Sequence, residues 1–177
     1  DSTNTRLYAA KQACNSFIDA MFKDDATGCK VSVVTFSSDT KTTGWGPWQE
    51  TEYVDNAETI GTATSSTEAT TLKNKISRLS ADGGTRIAAG INLANTEINN
   101  LAKGNDNKNI VIVLSDGDFK DDNNDGTLDS TGGETTSRVE TASLNLKNSA
   151  CNPTVYAVAF ASSQSGLMQN TIASDSN

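Results

Sequence analysis

The chain has 177 residues, enough for a domain with a real core, and a net charge of −8. Without a Lys/Arg cluster, that charge makes nucleic acid and anionic membrane surfaces poor partners and cations good ones. There is no histidine, which removes Ser-His-Asp and Cys-His catalysis and histidine-type zinc sites, and no apolar run approaches the ~20 residues of a membrane span.

Leu7, Ala10, Cys14, Phe17 and Met21 recur at helical spacing and predict a first helix over residues 5–23, with Asp24, Asp25 and Gly28 at its exit. Residues 31–36 (VSVVTF) read as a strand and residues 37–43 as a polar turn. Residues 44–53, with Trp45, Trp48 and Tyr53, read as a strand at a sheet edge, since Pro47 argues against a central one. Residues 55–66 show no periodicity and read as a loop. Helices follow over 67–79, with Leu72, Ile76 and Leu79 on one face, and over 86–103, with Ile87, Ile91, Ala94, Ile98 and Leu101 on one face. Thr85 is placed to cap the second of these and Gly104 to end it. Five apolar residues, Ile110 to Leu114, then end abruptly in Ser-Asp-Gly. Such a run reads as a strand buried on both faces of a parallel sheet. Asp116 follows its carboxyl end, the edge where open α/β sheets bind ligands, so its carboxylate is a candidate metal ligand. Residues 116–133 form an acidic loop, 135–149 a helix, 154–160 (TVYAVAF) another buried strand and 165–174 a short helix.

This alternation predicts an α/β fold with a doubly wound, mostly parallel sheet flanked by helices, a single domain over 1–177 with a loop insertion at about 116–133. Cys14 lies on the apolar face of the first helix and reads as a small buried hydrophobe. Cys29 and Cys151 each precede a predicted strand, and a bridge between them stays open.

Residues 121–129 fit D-x-N-x-D-G-x-x-D. Asp121, Asn123, Asp125 and Asp129 supply side-chain oxygens, Thr127 a backbone carbonyl, and Gly126 the sharp turn, a donor set that suits one Ca²⁺ at ~2.3–2.6 Å. An EF-hand would carry Glu at its twelfth position, where Gly132 stands; Glu134 comes two residues late. The pattern is therefore that of a calcium-binding loop in general, and five acidic groups between Asp118 and Asp129 would repel one another without a cation.

The order of RLYAAKQACNSFID (6–19), VSVVTFSS (31–38), GGTRI (83–87) and VLSDG (113–117) resembles the von Willebrand factor type A domain, in particular its secreted bacterial, pilus-associated members. The resemblance implies a Rossmann-like fold with a divalent cation at the carboxyl edge of the sheet, in a metal-ion-dependent adhesion site. Its ligands come from an Asp-x-Ser-x-Ser loop, a Thr and an Asp; Thr85 matches the second and Asp116 the third. The first motif should follow a strand that is not seen before the first helix. Asp1-x-Thr3-x-Thr5 copies the spacing only. The expectation is that this strand and its loop precede residue 1, and that a further edge strand and helix follow residue 174. Mg²⁺ or another divalent ion would then be held firmly only once the missing loop is supplied. Family order also places the absent strand between 31–36 and 109–114. Three outcomes stay open: an upstream segment, a strand donated by a neighbouring subunit, or direct closure of the two flanking strands.

An adhesion module outside the cell or on its surface is expected, with a protein ligand or a neighbouring subunit as partner; the alternative is a filament subunit that accepts a strand. An enzyme is not expected. There is no P-loop, no Cys beside a base, and nothing to give Asp116 and Asp118 a nucleophile or oxyanion donors for metal-assisted hydrolysis.

Overall fold

The computed structural model describes residues 5–25, 28–81, 84–102, 108–115, 134–160 and 168–174. They form mixed α/β structure in two compact units, and each is described by itself.

The first unit comprises residues 1–35 and 58–81. Helix α1 (Arg6–Met21) starts where the Thr5 hydroxyl accepts the Tyr8 N–H at 3.1 Å. Helix α2 (Ser66–Ser77) starts likewise at Ser65, whose hydroxyl accepts the Glu68 N–H at 3.3 Å, while the Glu68 carboxylate reaches back to the Thr64 N–H at 2.7 Å. These hydrogen bonds from Thr64 hold the exposed Glu68 carboxyl below its ordinary range. Ile18 and Phe22 pack with Leu72, Ile76, Ala69, Val31 and Ala63 in one apolar core. Cys14 lies half-buried against it, and burial pushes its thiol up. Lys11 buries its stem and donates to the Ser77 carbonyl at 3.1 Å, on one of the carbonyls that the end of α2 leaves free. Lys73 and Asp19 form a salt bridge between α2 and α1.

Strands β1 (Val31–Thr43) and β2 (Glu50–Ala63) make a two-stranded sheet. The Ser32 hydroxyl donates to the Gly61 carbonyl and the Thr35 hydroxyl to the Glu58 carbonyl, so the pair runs antiparallel. This corrects the polar turn expected at 37–43, the edge strand expected at 44–53 and the loop expected at 55–66. The real turn is a short 3₁₀ segment, Gly46–Trp48. Polar residues such as Asp39, Thr40 and Lys41 are extended because pairing with a neighbouring strand, not local propensity, decides.

The second unit comprises residues 36–57 and 82–177. Strands β3 (Ile110–Ser115) and β4 (Thr154–Ala159) pair in parallel, with Ile110 opposite Thr154 and Ser115 opposite Ala159. Helices α3 (Ile87–Ala102) and α4 (Thr136–Lys147) cover one face. There Ile87, Ile91, Val139 and Leu146 meet Val113 and Val155. The other face carries Ile110, Tyr156 and Val158, all exposed, with Ile112 and Leu114 half-buried. Burial on both faces, expected from the apolar run, is therefore met on one only. A π-helical turn, Met168–Ile172, stands where a short helix over 165–174 was expected. It packs into the same core, and Ser174 bonds both the N–H and the carbonyl of Val155.

β1–β2 and β3–β4 are separate sheets among the described residues. Direct closure of 31–36 onto 109–114 is thus not what this chain does. The three cysteines are free thiols, so no bridge joins Cys29 to Cys151.

Candidate functional site

The segment ahead of α3 carries Thr85, and β1 fixes it from one side. The Ser38 N–H donates to the Gly84 carbonyl at 2.9 Å, and the Gly84 N–H donates to the Ser38 hydroxyl at 2.6 Å. Ile87 and Ala88, in the first turn of α3, share a core with Val113 in the later half of β3. The start of α3 therefore lies beside the carboxyl half of β3, whose last residue, Ser115, is buried. Thr85 is half-buried at this edge. The helix begins at Ile87, so Arg86, not Thr85, stands just before it.

Sequence reasoning missed what lies beneath Thr85. Glu134 is fully buried, and its Oε2 accepts the Ala88 N–H at 2.8 Å. An amide left over at the first turn of α3 is thus satisfied by a carboxylate from a different part of the chain, where the helix dipole favours negative charge. Glu134 Oε1 lies 3.2 Å from Arg138 Nη1. Arg138 forks onto Asp55 of β2 at 3.3 and 2.5 Å. Arg86, 1% exposed, brings Nε within 3.7 Å of the same Asp55 carboxylate. Burial pushes the Glu134 carboxyl above its ordinary range, against the Ala88 N–H and the Arg138 charge. Burial pulls the Arg138 guanidinium down, but Asp55 and Glu134 outweigh it and the net shift is upward. One local signal existed: Glu134 and Arg138 are an i,i+4 pair at a helix start.

Of the residues read as metal ligands, Thr85 alone is among those described. Asp116 follows Ser115 in sequence but lies outside the described residues, as do Asp121, Asn123, Asp125, Thr127 and Asp129. Among the described residues no group of three or more Asp, Glu, Cys or His could hold a metal ion. The one donor described, a hydroxyl oxygen at the carboxyl edge, is of the hard type Mg²⁺ prefers, but does not by itself make a site.

Parallel strands with helices packed on them, and a hydroxyl-bearing loop at their carboxyl edge, define an α/β domain of the cation-site class. The sequence model of the von Willebrand factor type A domain matches residues 1–118, two thirds of the chain, and the chain belongs to that family. Domains of this family commonly mediate protein–protein interaction and adhesion, and often bind a divalent metal at the adhesion site. No curated protein matches the chain. No helix among the described residues is long and apolar enough to cross a membrane.

Proposed function

We propose that this chain is a non-enzymatic, cation-dependent protein-binding module of the extracellular space or cell surface, of the pilus-associated type. The observation that carries the reading is the placement of Thr85. It heads α3 in a loop clamped by Ser38, beside the strand end that leads directly into Asp116. Thr85 and Asp116 would give one hydroxyl and one carboxylate to a Mg²⁺ whose open position takes a carboxylate from the partner. With most positions left to water, those two alone bind weakly. Asp121, Asn123, Asp125, the Thr127 carbonyl and Asp129 would hold a Ca²⁺ that orders the neighbouring loop.

Calorimetric titration tests both sites. Ca²⁺ is expected to bind one site that Asp125→Ala abolishes, and Mg²⁺ a weaker one that Asp116→Ala abolishes. No heat up to millimolar Ca²⁺, or binding unchanged in Asp125→Ala, overturns the calcium reading. A tight Mg²⁺ site that survives Asp116→Ala overturns the other.

A second reading is favoured by β3, which has a hydrogen-bonded neighbour on one side only among the described residues and an exposed apolar face beside it. The chain would then be a filament subunit whose sheet accepts a strand from its neighbour. Sedimentation across a concentration series checks this: self-association weakened by Ile112→Lys supports it, and a monomer throughout removes it.

A further inference from the structure

We propose that the tip of the β1–β2 hairpin is a carbohydrate site that takes neutral polysaccharide on the indole faces of Trp45 and Trp48. The chain has two tryptophans, and both stand on this turn. They are 84% and 80% exposed. Large aromatic surfaces left in water at a loop tip, outside both cores, contribute nothing to folding and are suited to contact.

The turn is built to hold them. The Trp48 N–H donates to the Trp45 carbonyl at 3.3 Å, a closure that keeps the two Cα atoms within about 7 Å of each other. Residues three apart on a 3₁₀ turn project to the same side. Pro47 fixes its own φ. Gly44 sits at φ 86° and Gly46 at φ 61°, and a Cβ on Gly44 would collide with the Trp48 carbonyl. The indoles are thus placed before any ligand arrives, which lowers the ordering cost of binding.

Size and charge select the occupant. Two indoles offer roughly 300–500 Å², well short of the ~800 Å² per side of a stable protein interface. A net charge of −8 repels anionic lipid. The exposed neighbours Thr42, Thr43 and Gln49 are neutral and can both donate and accept hydrogen bonds, and the nearby charges of Asp39 and Lys41 are opposite in sign. A pyranose ring meets all of this: its C–H face stacks on the negative face of an indole, and its hydroxyls find the threonines and the glutamine. Two adjacent indoles suit neighbouring rings of one chain.

The test is affinity electrophoresis of the full chain through gels containing hydroxyethylcellulose, xylan or galactomannan, with tryptophan fluorescence as the second readout. Retardation is expected in at least one gel, and it should persist in EDTA. Trp45→Ala and Trp48→Ala should each weaken it at least about tenfold, while Trp45→Phe, which keeps an aromatic face, retains part of it. No retardation in any of the three gels overturns the proposal, as does retardation unchanged in the double alanine variant with an unaltered circular dichroism spectrum. Loss in EDTA assigns the binding to the cation site and also overturns it. Co-sedimentation with phosphatidylcholine vesicles in place of polysaccharide retention identifies a membrane anchor instead.

Discussion

In the unit built on α1 and α2, the fully buried side chains are Ile18, Leu72 and Ile76; the unit built on α3 and α4 closes over Arg86 and Glu134 as well. The first satisfies its helix starts locally, with Thr5 and Ser65. The second satisfies the start of α3 with a carboxylate from far along the chain. Burying charge is costly and seldom the cheapest way to stabilise a fold. Its location here, under Thr85, suggests what the charge is for: it fixes the geometry of a loop that a plain apolar core would leave to choose its own.

The sharpest way to break this contrast is Glu134→Ala. It strips the Ala88 N–H of its acceptor and Arg138 of one counter-charge, and should cost about 4 kcal/mol in a urea melt. Glu134→Gln, which can still accept from Ala88, should cost clearly less. Equal losses in the two variants would show that charge, not the acceptor, is what matters. Leu72→Ala should cost about 3 kcal/mol through its cavity. Amide exchange should then speed up across α1 and α2 more than across α3 and α4; uniform acceleration would mean that the two cores open as one. Gly90→Ala comes next. Its Cβ would lie 2.8 Å from Cγ of Phe36, an overpacking worth about 2 kcal/mol. Phe36→Leu in the same chain should recover part of that, and additive losses would place the clash elsewhere.

The smallest effect is on pH. The Glu134 carboxyl titrates above its ordinary range when folded, so between the two values the folded state holds the proton more tightly. The stability it contributes is complete below the unfolded value and is lost as pH rises through the folded one. On acidification from neutrality, the wild type should therefore gain relative to Glu134→Gln. Parallel melts at several pH values check this, and a gap that stays flat removes the buried-carboxylate account.

The four helices were legible in the sequence to within a residue or two at most ends, because their signals are local: apolar residues three and four apart, and Thr or Ser at the caps. The apolar runs of β3 and β4 were legible for the same reason. β2 was not. In VDNAETIGTA polar and apolar residues fall out of step, and the extended form is held by hydrogen bonds such as Ser32 to Gly61 that no local window contains. The error carried into the site. With Asp55 read as part of a loop, nothing linked it to Arg86 and Arg138, and Glu134 looked like a solvated acid just past a calcium motif. Thr85 was found because its motif is contiguous; its supports were missed because they come from β2, α4 and the segment before α4.

Ser115 and Glu134, the residues on either side of segment 116–133, are both buried. Chain statistics set the cost of joining two fixed points, and doubling the number of residues between them adds only about 0.6 kcal/mol. Insertions and replacements between these two posts are therefore cheap for the scaffold. The ligand chemistry of that stretch is free to be rewritten from one descendant of this chain to the next, while the posts themselves must stay put.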